Sequence, residues 1–186
     1  PHGGFSGSSY VVFGKASGFS DKVTLSSLDG TNGFRLDGET ENDFLGSSVS
    51  TAGDVNGDGF DDIIVGANGA DSNGERSGSS YVVFGKASGF NALIDLSSLE
   101  RADGFRIDGV AVGDYSGISV STAGDVNGDG FDDLIVGAIG VDSNGYESGS
   151  SYILFGRRDF GSGGLPEILG TSGDDQLKGS SAAELF

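Results

Sequence analysis

Gly78-Ser79-Ser80-Tyr81-Val82-Val83-Phe84-Gly85-Lys86 is one of three copies of the same element. It stands earlier as Gly7-Ser8-Ser9-Tyr10-Val11-Val12-Phe13-Gly14-Lys15 and later as Gly149-Ser150-Ser151-Tyr152-Ile153-Leu154-Phe155-Gly156-Arg157, with both steps 71 residues long. A β-branched and aromatic run closed by glycine has the composition of a strand entering a turn. The rest of the period keeps the same offset. Gly33-Phe34-Arg35-Leu36-Asp37-Gly38 returns as Gly104-Phe105-Arg106-Ile107-Asp108-Gly109, and Ser47–Asp62 matches Ile118–Asp133 at 15 of 16 positions. A period preserved through loops as well as strands marks one repeated structural unit.

Within a unit the apolar runs are short and bounded by Gly, Asp, Asn and Ser, which reads as strands and turns. The expected strands are Ser9–Phe13, then Phe34–Leu36, Gly46–Ala52, Asp62–Ala67 and Ser80–Phe84. The next unit offers Phe105–Ile107, Gly117–Ala123, Asp133–Ala138 and Ser151–Phe155. Ile63-Ile64-Val65 is a continuous apolar run, as in strands covered on both faces, whereas Ser48–Ala52 alternates. Leu25–Leu28 and Leu96–Leu99 fit either a short helical turn or an edge strand. The expected fold class is all-β: four-stranded antiparallel blades of 71-residue period, β-propeller-type. A solenoid coil is usually much shorter, and a sandwich would not repeat so faithfully. The period fits the chain about 2.6 times, against about four to eight blades in a closed ring, so the propeller is expected to be incomplete in this chain.

Composition narrows the function. The 186 residues include 28 Asp or Glu against 10 Lys or Arg, a formal charge of −18. Such a surface repels phosphate, so a nucleic-acid partner is not expected. With no cysteine and a single histidine, His2, disulfides, thiolate chemistry and His- or Cys-based zinc sites are excluded. No apolar run reaches the length of a membrane span.

The acids are concentrated. Asp54-Val55-Asn56-Gly57-Asp58-Gly59-Phe60-Asp61-Asp62 recurs unchanged as Asp125-Val126-Asn127-Gly128-Asp129-Gly130-Phe131-Asp132-Asp133. Oxygen-bearing side chains fall at loop positions 1, 3, 5 and 9, with glycine at position 6 for a sharp turn. Calcium is a hard cation that takes about six to eight oxygens, and alternate residues of a tight loop can wrap one ion. The expected Ca2+ ligands are Asp54, Asn56, Asp58, the main-chain carbonyl of Phe60, and Asp62. Their counterparts are Asp125, Asn127, Asp129, the Phe131 carbonyl and Asp133. Asp61 and Asp132, at position 8, are expected to point away while adding to the negative field. An EF-hand starts similarly but needs an acid at position 12, where this chain has Val65 or Val136. Magnesium prefers a smaller, wetter octahedral shell and fits less well.

These features resemble FG-GAP repeats, which build the β-propeller of integrin α subunits and occur in many bacterial surface proteins. The Phe-Gly element is Phe13-Gly14, Phe84-Gly85 and Phe155-Gly156. The Gly-Ala-Pro element is degenerate, Gly66-Ala67-Asn68 and Gly137-Ala138-Ile139 lacking the proline. The resemblance covers about residues 7–157. It implies calcium held in interstrand loops on one face, extracellular adhesion or ligand binding, and no shared catalytic activity. Residues 170–186 resemble RTX-type nonapeptide calcium repeats, with Gly170, Gly173, Asp175 and Leu177 on motif positions; Ala182 and Glu184 depart from it. An additional calcium site there would need partner repeats. The expected domains are 1–160 for the blades, 161–169 for a Gly/Ser linker and 170–186 for the tail.

The functional expectation is a secreted or cell-surface, bacterial, calcium-binding adhesion or ligand-binding module, part of a larger protein, with a protein or glycan ligand. The alternative is a subunit of a calcium-dependent extracellular fibre, self-associating through open blade edges. Asp71–Gly74 and Asp142–Gly145 are weaker candidates for ligand contact, since they also read as hairpin turns. An enzyme is not expected: no serine motif has a histidine to activate it, and the clustered carboxylates serve as metal ligands. Arg35 and Arg106 read as partners of nearby Asp, and Tyr10, Tyr81 and Tyr152 as core or rim.

Overall fold

The computed structural model describes residues 3–143, 145–146, 148–158 and 160. The expected linker and RTX-like tail lie outside them, as does His2. The described residues form β1 (Ser8–Val12), β2 (Gly33–Asp37), β3 (Ser48–Gly53), β4 (Asp62–Ala67), β5 (Ser79–Val83), β6 (Leu93–Asp95), β7 (Gly104–Asp108), β8 (Ser119–Gly124), β9 (Asp133–Ala138) and β10 (Ser150–Leu154). The only helical segments among them are 3-10 turns at Leu25–Ser27 and Leu96–Ser98. None is long and apolar enough to cross a membrane.

The middle sheet is a complete four-stranded blade in the order β3-β4-β5-β7, with every pairing antiparallel. The third sheet, β10-β9-β8, repeats its first three strands. In the first sheet, β1 pairs antiparallel with β2 as β5 pairs with β7, and β6 adds to β2 in parallel. The all-β blade expectation therefore holds, and the sheets do not close into a ring among the described residues.

Successive residues of a strand face opposite ways, so each blade serves two cores. Ile64, Val82, Phe105 and Ile107 pack against Leu134, Val136 and Leu154 of the following sheet. Val65, Tyr81 and Val83, their immediate neighbours in sequence, pack backward against Phe34 and Leu36. This explains the continuous apolar runs in β4 and β9. At the inner edge the blades approach closely: Ser48 Oγ donates to the Gly117 carbonyl at 2.8 Å, and a Cβ on Gly66 would collide with that same carbonyl.

Of the two alternatives for Leu25–Leu28 and Leu96–Leu99, the short helical turn is the one formed, as 3-10 turns at Leu25–Ser27 and Leu96–Ser98, the second preceded by the short strand β6. It reaches back to the preceding blade. Phe90 stacks on Phe34 with ring centroids 4.5 Å apart, and β6 then runs beside β2, pairing Arg35 with Leu93 and Asp37 with Asp95. Phe160 repeats the contact one unit on, stacking on Phe105 at 4.5 Å. Lys86 and Arg157 sit over Phe90 and Phe160, with the charge 5.3 and 5.4 Å from the ring centroid. Sequence reading did not assign these aromatics a role; the recurring Lys15–Phe19 and Lys86–Phe90 segments were the available signal.

Candidate metal centre

In an antiparallel meander, alternate connections lie at the same end of the sheet. The nine-residue loops join β3 to β4 and β8 to β9, so both emerge at one end of neighbouring blades. Each is launched by a β-bulge, between Thr51 and Gly53 or Thr122 and Gly124. Gly53 and Gly124 have φ of +75° and +70°, and their amides donate to the hydroxyls of Thr51 and Thr122.

Each loop then folds its polar side chains onto its own backbone. Asp54 accepts from the amides of Asp58 (3.0 Å) and Gly59 (2.9 Å), Asn56 Oδ1 accepts from Asp58 (2.9 Å), and Asp58 accepts from Phe60 (2.9 Å). Asn56 also donates to the Asp58 carboxylate at 3.1 Å. The second loop copies this, with Asp125 accepting from Asp129 and Gly130, Asn127 from Asp129, and Asp129 from Phe131. Loop positions 1, 3 and 5 are thus brought together on the inner side of one turn.

Position 9 is placed differently. Asp62 and Asp133 open β4 and β9, at 1% and 0% exposure. Asp62 accepts from the amides of Val55 (3.0 Å) and Gly85 (2.8 Å), and Asp133 accepts from Val126 (2.8 Å) and Gly156 (2.9 Å). The carboxylate therefore ties the entrance of the loop to the Phe-Gly element that ends the third strand. This gives the repeated Phe84-Gly85 and Phe155-Gly156 a local reason: a Cβ on either glycine would collide with the backbone of the residue before the buried acid. Burial pushes the Asp62 carboxyl up to about 6 against the two amides, and the charges of Asp58 and Asp54 push the same way. In this conformation no three acidic side chains among the described residues stand close enough to share one ion. The donor set nonetheless suits a hard divalent cation: three carboxylates and an amide oxygen in each loop, with negative charges near enough to oppose ionisation of Asp62.

Position 8 departs from expectation in the second loop. Asp61 is exposed, but Asp132 reaches the first loop, where its carboxylate accepts from the Asp54 amide at 2.9 Å. The position-8 residue thus contacts the loop of the preceding blade, a pairing that sequence comparison within one loop does not reveal.

The remaining candidates fall elsewhere. Arg35 and Arg106 pair with Asp37 (2.9 Å) and Asp108 (2.7 Å), as expected. Tyr81 is core and donates to Glu39 at 2.9 Å, while Tyr10 is 39% exposed. Asp71–Gly74 lies in the β4–β5 connection, at the end opposite the acidic loops. Asp71 accepts there from the Arg76 amide, and Asn73 donates to the Gly109 carbonyl. That end carries the exposed apolar side chains Phe5, Phe44, Val110, Val112, Ile139 and Tyr146. Asn144 lies outside the described residues.

Two segments, residues 45–83 and 116–154, match the FG-GAP repeat family. Each begins just before an inner strand, includes one acidic loop and ends in the third strand. The chain is also similar to integrin alpha pat-2 of Caenorhabditis elegans, 33% identical over 110 residues, which is 59% of this chain and 8% of that protein. Integrin alpha-2 of Bos taurus is 34% identical over 113 residues, 61% of this chain and 8% of that protein. Integrin alpha-V of Gallus gallus is 38% identical over 101 residues, 53% of this chain and 9% of that protein. The chain thus spans less than a tenth of the length of each of these relatives.

Proposed function

We propose that this chain is an extracellular, non-enzymatic module for adhesion or ligand binding, secreted or displayed at a cell surface and stabilised by calcium in the β3–β4 and β8–β9 loops. The observation that carries the reading is the pair of identical loops at the same end of adjacent blades, each gathering its position 1, 3 and 5 oxygens on one side of a turn. Similarity to FG-GAP repeats and to integrin α chains supports it. Asp54, Asn56, Asp58, the Phe60 carbonyl and Asp62 would hold one ion, and Asp125, Asn127, Asp129, the Phe131 carbonyl and Asp133 the other. Calcium, when bound, supplies the positive charge these carboxylates lack. The chain's own residues shape the loop: the bulge glycines turn it, and the buried position-9 acids anchor it to the neighbouring strand. Sites of this kind fill at the millimolar calcium outside cells. Ligand contact is assigned to the opposite end, where large apolar side chains are exposed in the connecting loops.

Calorimetric titration of the chain with calcium is the test. Two filled sites and a rise in melting temperature reversed by chelator are expected, and no heat at millimolar calcium would refute the reading. One observation favours the fibre alternative: β5 is flanked by both β4 and β7, whereas among the described residues β10 pairs only with β9. A second chain could add a β2- or β7-type strand there. Calcium-dependent growth in sedimentation velocity would support that alternative, and a concentration-independent monomer would remove it.

A further inference from the structure

We infer that Asp132 is a positioning residue that couples the two loops, so that order in the second loop raises the calcium affinity of the first. This rests on the calcium reading of the loops and adds a coupling between the two sites to it.

Asp132 grips the first residue of the preceding loop from both sides. Its carboxylate accepts from the Asp54 amide at 2.9 Å, and its own amide donates to the Asp54 carbonyl at 3.3 Å. Asp54 carries the position-1 carboxylate, which already gathers two backbone amides. Holding its main chain therefore fixes where that carboxylate points. The surroundings leave no slack. A Cβ on Gly53 would overlap the Asp132 carboxylate, and one on Gly57 would overlap the Phe131 ring. Val55, between them, is fully buried, and its carbonyl accepts from the Arg157 amide at 2.8 Å. The first loop is thus moulded against position 7, position 8 and the Phe-Gly element of the next unit.

The asymmetry of position 8 assigns this role to Asp132. Asp132 lies between two of the second loop's expected ligands, the Phe131 carbonyl and Asp133, so whatever orders that loop orders Asp132. Asp61, the same residue in the same sequence, is exposed and makes no such contact among the described residues. Ordering that one ligand imposes on a second site appears as coupling, and coupling of binding is reciprocal.

The test is a calcium titration of the full chain followed by amide NMR, reading Gly57 and Gly59 for the first loop and Gly128 and Gly130 for the second. Asp132→Ala is expected to weaken the first loop on the order of tenfold and, because the coupling is reciprocal, to weaken the second as well. Asp61→Ala, which removes the same charge from the other copy, should leave both loops within about twofold of wild type, well below typical coupling. Asp132→Asn retains an oxygen that can accept from the Asp54 amide, so it should restore most of the lost affinity. It also serves if the alanine variant folds poorly. Loss in Asp132→Asn equal to that in Asp132→Ala would mean that only charge matters and would overturn the positioning role. An unchanged first loop in Asp132→Ala would overturn it too. A wild-type titration in which neither glycine pair moves would overturn the calcium reading itself, a distinct result.

Discussion

The two acidic loops have the same nine residues and nearly the same internal hydrogen bonds, the second adding one from the Gly128 amide to Asp125, yet they stand in different surroundings. Val55 in the first is fully buried, while Val126 in the second is 57% exposed. Asp54 is half-buried and held through its backbone by Asp132, whereas Asp125 is exposed. A Cβ on Gly53 or Gly57 would meet the neighbouring unit, and one on Gly124 or Gly128 would meet nothing within 4 Å among the described residues. The sequence of the loop sets its internal shape, and contact with the next unit adds a hold on the backbone of the first.

The largest effect is expected where the two loops are alike. Asp62→Ala and Asp133→Ala each strand two inward-facing amides and should each cost about 4 kcal/mol in chemical denaturation. A large difference between them would break the equivalence of the loop interiors. Next comes a pair that should differ. Gly53→Ala combines a positive φ with displacement of the Asp132 carboxylate, for about 3 kcal/mol. Gly124→Ala carries only the backbone strain, about 1 kcal/mol. Equal costs would mean that the contact between loops contributes nothing. Val55→Ala should lose about 2 kcal/mol of burial, and Val126→Ala should stay within about 0.5 kcal/mol. The smallest effect depends on conditions. Asp58→Ala or Asp129→Ala should lower stability by about 1.4 kcal/mol when calcium is at ten times its Kd, and should change little in chelator. Similar melting shifts with and without calcium would argue against ligation by these residues.

Much of this architecture was legible because the chain writes it more than once. The Ser-Ser-Tyr strand, the Gly-Phe-Arg strand and the acidic loop each recur at a fixed offset, so their boundaries could be compared between copies. The strand positions followed to within a residue or two. The loop interior was also readable, since Asx and glycine residues at alternate positions act locally. What escaped was everything that depends on the neighbour. Asp61 and Asp132 are indistinguishable in sequence, and only the packing of one unit on the next gives Asp132 a partner. The buried setting of Asp62 was hidden for a similar reason: its second hydrogen bond comes from Gly85, just past the end of β5. For Leu93–Asp95 the difficulty was range, because β6 pairs with β2 some sixty positions earlier, and no local pattern records a parallel partner.

That pairing has a mechanical side. β6 belongs by sequence to one unit and by hydrogen bonding to the unit before it, and it runs parallel to the strand it joins. If the two ends of this region are drawn apart, β2 is pulled toward its start and β6 toward its end. The strands must then slide past each other, stretching all three residue pairs together instead of unzipping them singly. The stacked rings of Phe34 and Phe90 lie just ahead of this clasp and would have to separate as well. Tension along the chain would therefore meet shear resistance where this unit reaches back to the one before it.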